Sequence, residues 1–379
     1  MSKIFQSITI FVLLFFAFCL RFQVISFGLP DGSNVYHKVP YFSDEIAVVE
    51  DFKKLIVFFH TREISYLANW SYMIFGRLLS IVPYYFQVLL DKSFILKQAP
   101  QVIEVLKIKQ ITLAGRFVSL ISSFFSLIIF YKILKIFKVK FLISFLIISF
   151  LAFNPVDIIM SLQAKANALM NLFISLSLYF SFLYLRKNKK NKIKYLIYAG
   201  ISSGLAMASR INGGLSVLIP LTAFLLNNKL VNNRLEIKKV YQKIKDFVLI
   251  LIAFLLAFII STPTIILEPS LVFKIWQQAG SGRLTMNVNW QLWLSNLRYI
   301  VGGELGLIIF FLTLILSCFF VRKMSKEEKL ALFWLALYLV VSLFTAVPVL
   351  RYLFPILTAY TLAFIIIGKK LFKLAKKNI

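Results

Sequence analysis

The stretch FLISFLIISFLAF, residues 141–153, carries no charge and only two serines among its thirteen positions. Comparable runs recur along most of the 379 residues. A helix of about 20 apolar residues crosses the roughly 30 Å hydrocarbon layer of a bilayer, because it satisfies its own backbone polar groups where water is absent. A mean hydropathy of +0.84 and 40 phenylalanines exceed what a soluble core of this length can bury. The chain is therefore read as an all-α, polytopic integral membrane protein.

Charge then gives the topology. The formal net charge of +28 could suggest nucleic acid. The lysines and arginines, however, fall in short clusters between apolar runs, the pattern of a positive-inside bias, so no nucleic-acid partner is expected. The clusters are Lys3, 132–140, 186–194, 228–245, 322–329 and the tail from Lys369, and together they hold 26 of the 43 basic residues. Assigning them to the cytoplasm leaves ten expected spans: 4–25, 110–131, 141–154, 166–185, 194–210, 213–227, 247–262, 303–321, 330–347 and 351–368. An even count returns both termini to the cytoplasm. The Lys-, Ile-, Phe- and Asn-rich composition fits a bacterial cytoplasmic (inner) membrane. Phe15, Phe16 and Phe18 replace the small residues of a cleavage site, so the first run is kept as a span. Several spans are short, which predicts broken helices, above all around Arg210 to Gly214. Cys19 and Cys318 lie within apolar runs at no metal-site or disulfide spacing.

One transmembrane domain over 1–379 with two large outer loops, 26–109 and 263–302, follows. The run 66–90 is read as helix in the outer interface. Four of the 15 acids, Asp44, Glu45, Glu50 and Asp51, crowd into eight positions of the first loop. Just beyond, Val49, Phe52, Ile56 and Phe59 recur at helical spacing, which predicts a helix lying flat on the bilayer. Viewed alone, the acids suit a solvated helix start equally well. A site that joins a hydroxyl to a group on a lipid phosphate needs a carboxylate to take the proton and cations to hold the departing phosphate. Arg21, Arg116, Lys165, Arg210 and Arg351 stand near the outer ends of expected spans, where charge is costly unless paired or wet; any one of them can instead snorkel to the interface. No Walker loop, glycine-rich phosphate loop or histidine cluster is present to support nucleotide hydrolysis.

In order along the chain stand LRF (20–22), SDE (43–45), the arginine-led GRFVSLISSFFSLIIF from Gly115, LAFNPVDIIMSLQAKANALMNLF, GISSGLAMASR, STPTIILEPSLVF and RYLFP (351–355). This series resembles the GT-C superfamily of polyprenyl-phosphate-sugar-dependent glycosyltransferases, in its protein O-mannosyltransferase and aminoarabinose transferase branch (glycosyltransferase family 39-like). The resemblance implies an inverting transfer of one sugar from a polyprenyl-phosphate carrier to a glycan, lipid or protein acceptor at the outer membrane face. It implies Asp44 as general base, with Glu45 orienting it, and Arg21, Arg210, Arg351 and Lys165 as donor-phosphate ligands. It specifies no cofactor and leaves a divalent metal, held through Glu45, open. Glu268 is a weaker candidate.

The chain departs from the pattern in two places: Asn167 stands where an acid is common, and YLANWSYMIF (66–75) replaces a Pro-Pro-Leu-like element, so the acceptor's identity does not carry over. Trp276, Trp290 and Trp293 are interface anchors or sugar-stacking platforms. A lipid or solute transporter and a glycan polymerase or ligase are the competing classes; the absence of a clear internal repeat counts against the first.

Overall fold

The computed structural model describes residues 3–26, 29, 49, 52–55, 57, 61, 74–95, 100–186, 192–227, 237–262, 264–267, 269–270, 290–343 and 350–378. Every regular element among them is helical. In chain order they are α1 (Lys3–Gln23), α2 (Ile74–Ile95), α3 (Pro100–Ile136), α4 (Phe141–Ala152), α5 (Pro155–Ser161), α6 (Asn167–Arg186) and α7 (Ile193–Ser209). A 3-10 stretch, Ile211–Val217, runs into α8 (Leu218–Asn227). After it come α9 (Ile237–Ser261), α10 (Trp290–Val301), α11 (Glu304–Phe320), α12 (Lys326–Leu343) and α13 (Leu350–Asn378).

Where they are described, the ten expected segments fall on helix, though not every one is a long straight helix. Six helices of the described residues are long and apolar enough to span, and a seventh results if α4 and α5 count as one span across their 57° bend. Three expected spans account for the difference. The helix α7 has 17 residues and the Ile211–Asn227 helix is similarly short, while α12 opens on the charged run Lys326–Lys329. The bend has a local cause. Asn154 caps α5, its side-chain oxygen accepting the Val156 N–H at 2.9 Å, and Pro155 takes the first helical position, where its missing N–H costs nothing. The expected break near Arg210 is also present: this residue is extended (φ −156°, ψ 141°) between α7 and the 3-10 stretch.

In the middle of the bundle α3 packs on α6, α6 on α7 and α7 on α9, while α11 and α12 flank α13. Gly200 and Gly204 share one face of α7, one turn apart, and bring its backbone against α9. A Cβ added at Gly204 would lie 2.3 Å from the Phe254 carbonyl oxygen. Small residues at this spacing allow the close contact that drives helix association in lipid. Across the other face, the hydroxyls of Ser177 and Ser203 are 2.9 Å apart.

The amphipathic segment after the acidic loop is covered by protein. Val49, Phe52 and Leu55 are buried with Tyr84, Ile111 and Ala114, and the Phe52 and Tyr84 rings stand 5.1 Å apart. The expected apolar face is thus correct at Val49 and Phe52, but α2 and α3 cover it; Ile56 and Phe59 lie outside the described residues.

Basic clusters far apart in sequence meet at one end of the bundle. Arg186 donates to the Ile136 carbonyl at 2.9 Å, Lys369 donates to the Phe137 carbonyl, and Lys370 pairs with Glu328 at 2.9 Å. There α3 stops in a Schellman turn: Val139 N–H bonds to Leu134 O and Lys138 N–H to Lys135 O. Lys138 takes the left-handed position at φ 52°, a place glycine usually fills, and this costs a lysine roughly 1–2 kcal/mol.

Candidate active site

Toward the opposite end, a polar seam runs between α3 and α6. On α3, Arg116, Ser119, Ser123 and Ser126 recur every three or four residues and are all buried, so they share one helix face about 15 Å long. On α6, Asn167, Asn171 and Ser175 follow one another at four-residue spacing, also buried. The two rows bond across the interface: Asn171 Nδ2 donates to Ser126 Oγ at 3.3 Å, and the Ser126 and Ser175 hydroxyls are 3.4 Å apart. Buried polar groups are expensive without partners, so a continuous seam inside a lipid-embedded bundle marks a place where polarity is wanted.

Arg21, in the last turn of α1, enters this seam. Its Nη2 donates to Asp157 Oδ2 at 2.8 Å and to the Ala152 carbonyl, and Nη1 donates to Ser123 Oγ at 3.0 Å. Ser123 in turn donates to the same carboxylate oxygen at 2.9 Å. The pair spans 136 positions and ties the first helix to the Asn-Pro bend. The Arg21 Nε is buried without a partner among the described residues. One turn above the Ser119 row, Arg116 donates to the Ile25 carbonyl at 2.8 Å and so holds the exit of α1.

Arg210 occupies the break after α7 and is also buried; it donates from Nη1 to the side-chain oxygen of Asn167, the first residue of α6. Lys165 is half-buried two residues earlier, in the turn between α5 and α6, and its carbonyl accepts from Ser119 Oγ at 2.9 Å. Gly115 lets this turn lie directly on α3, since an added Cβ would come within 2.8 Å of the Ala164 Cβ. The helix break therefore sets Arg210 on Asn167, and Lys165 stands two positions before that asparagine in the turn packed on α3.

Among the expected site residues, Arg210 bonds Asn167, Lys165 lies in the turn before it, and Arg21 is held by the Asp157 carboxylate. Asp44, Glu45, Glu268 and Trp276 lie outside the described residues. Arg351 sits in the first turn of α13, and its side chain lies outside them too. Glu304, at the start of α11, pairs with Arg298 at 2.7 Å. Trp293 is buried and donates to Ser342 Oγ at 3.0 Å, so its ring serves packing, whereas Trp290 is exposed. Asp157 is the residue that sequence reading passed over. Its signal was present, a lone acid between two apolar stretches, but an acid three positions after Asn-Pro also suits an ordinary helix start.

Residues 105–260 match the family described as dolichyl-phosphate-mannose-protein mannosyltransferase. The match covers α3 almost entirely and continues to the end of α9. It therefore contains the polar seam, Asp157, Lys165 and Arg210, and bears out the resemblance to that family over this part of the chain. No curated protein matches the chain.

Proposed function

We propose that this multi-pass membrane protein is an inverting glycosyltransferase that moves one sugar from a polyprenyl-phosphate carrier to an acceptor hydroxyl at the outer face of a cytoplasmic membrane. The observation that carries this reading is the family match over 105–260, whose description names a lipid-phosphate-linked sugar as donor. The buried Arg210 on Asn167 adds support, because a departing phosphate needs fixed positive charge where its own charge develops.

In this reading Asp44 accepts the acceptor's hydroxyl proton as the oxygen attacks the anomeric carbon. The bond from that carbon to the phosphate oxygen breaks on the opposite face, and its electron pair stays with the lipid phosphate. Glu45 orients Asp44 or the acceptor. Arg210, Lys165 and Arg351 bind the phosphate. Arg21, whose charge is already met by Asp157, contributes position more than net charge.

A transporter would use the same buried charges as a path between two faces; an enzyme uses them at one end. Purified protein in lipid nanodiscs, incubated with a panel of polyprenyl-phosphate sugars, separates the two. Turnover of one donor that disappears in Asp44→Asn establishes the transferase and identifies the sugar. Donor turnover that survives in Asp44→Asn removes Asp44 as base. An absence of turnover and of donor binding, with acceptors varied, transfers the weight to the transporter.

A further inference from the structure

The end of the bundle opposite the polar seam has a cavity of about 270 Å³, open to the surface, whose polar lining is Lys138, Arg186, Ser325, Glu327 and Glu328. It lies where two spanning helices stop, Ile108–Ile136 and Asn167–Arg186, and where α12 begins. This is the depth at which the phosphates of phospholipids sit.

Of the two carboxylates, Glu328 is already engaged. Glu328 Oε2 accepts the Ser325 N–H at 2.8 Å, the Glu328 N–H donates to Ser325 Oγ in return, and the carboxylate pairs with Lys370. Glu327 faces Lys192, whose ammonium is pushed below the ordinary lysine range by burial and by the like charge of Lys326, against the opposing pull of Glu327. Lys138 and Arg186, the two cations of the lining, form no ion pair among the described residues, and Lys326 lies between the lining residues Ser325 and Glu327 in the chain. Arg186 spends one N–H on the Ile136 carbonyl, and a guanidinium has five. Lys138, moreover, is the one non-glycine residue with positive φ among those described, so a cation is kept at the rim at a backbone cost that glycine would avoid. A pocket at the ends of membrane helices, where Lys138 and Arg186 stand beside a Glu328 already paired with Lys370, suits an anionic headgroup.

We infer that this cavity binds the phosphate of an anionic phospholipid from the leaflet at the basic end of the bundle, independently of the sugar-transfer site.

The test uses the full chain in mild detergent at physiological salt, stripped of native lipid, with thermal unfolding followed as phosphatidylglycerol, phosphatidylcholine or inorganic phosphate is added. The pocket variant is Lys138→Asn with Lys326→Gln; asparagine suits the left-handed position, so the change removes charge without adding strain. A control, Lys243→Gln with Lys245→Gln, removes the same charge from α9. Phosphatidylglycerol should stabilise the wild type and the control alike, its half-saturating concentration should rise tenfold or more in the pocket variant, and phosphatidylcholine should do nothing. If the pocket variant melts early without lipid, Lys326→Gln alone, in the first turn of α12, should give the same shift at smaller size. No stabilisation by phosphatidylglycerol overturns the inference, as does an equal shift in pocket variant and control. Inorganic phosphate acting at the same concentration as the lipid overturns the lipid assignment in favour of a free anion.

Discussion

Arg21 and Asp157 form an ion pair of 2.8 Å, with side chains only 5% and 7% exposed. Removing one partner of a buried pair leaves an uncompensated charge, which costs about 3–5 kcal/mol. Asp157→Asn and Arg21→Gln should each lower the unfolding temperature in detergent. The double substitution Arg21→Met with Asp157→Leu should lose less than the two single changes added together, since it removes both charges and keeps volume. Additive losses would show that Arg21 and Asp157 act separately, against the geometry.

Arg210 differs from Arg21 in what it faces. Arg21 meets the Asp157 carboxylate, whereas the positively charged Arg210 donates to the neutral side chain of Asn167. In the proposed reaction that charge acts on the donor phosphate. Arg210→Gln keeps a side chain able to bond Asn167 but removes the charge. A hydrogen bond to a charged group contributes about 1.5–3 kcal/mol, so donor affinity should fall by roughly ten- to a hundredfold with little change in thermal stability. The informative comparison is with Asn167→Ala, which should disturb the position of Arg210 without removing charge and weaken donor binding less. Donor affinity unchanged in Arg210→Gln would take Arg210 out of the phosphate site.

Apolar runs and basic clusters made the membrane class and the gathering of charge at one end legible, because burial in lipid leaves a one-dimensional trace. The breaks at Asn154-Pro155 and Arg210 were legible for the same reason: proline, glycine and a lone cation interrupt that trace. The lengths and straightness of the helices were less legible, since a linear run does not give the angle of a break or mark a helix of only 17 residues. The role of Asp157 was not legible, since its partner lies 136 residues away. Val49 and Phe52 show a subtler limit. Periodicity identified their apolar face, but only the positions of α2 and α3 decide that protein covers it.

Gly204 and Gly368 offer a matched pair of substitutions. At Gly204 an alanine Cβ would meet the Phe254 carbonyl oxygen at 2.3 Å and the Ala257 Cβ at 2.9 Å, and both belong to the packed helix α9. Backbone cannot move aside cheaply, so Gly204→Ala should destabilise by about 1–3 kcal/mol. At Gly368, inside α13, an added Cβ meets nothing within 4 Å. Gly368→Ala should be neutral or stabilise by up to about 1 kcal/mol through lower unfolded-state entropy. Unfolding of both variants in one detergent checks the contrast, and an equal response at the two positions would count against the α7–α9 contact.

Sidedness is the remaining premise of the proposed reaction, and it is testable apart from activity. The basic end contains Lys326, next to the capping pair Ser325 and Glu328, while the acidic motif lies in the loop after α1. With Cys19 and Cys318 replaced by serine, single cysteines at Ser43 and at Lys326 report one side each. Position 326 is preferable to 325, because losing the Ser325 cap would itself cost about 1 kcal/mol. In intact cells a membrane-impermeant maleimide should label Ser43→Cys, and Lys326→Cys should react only after the membrane is opened. The reverse pattern would put Asp44 and Glu45 on the cytoplasmic side, and the proposed transfer at the outer face would fall with it, whereas the phosphate pocket at Lys138 would keep its chemistry and change only its leaflet.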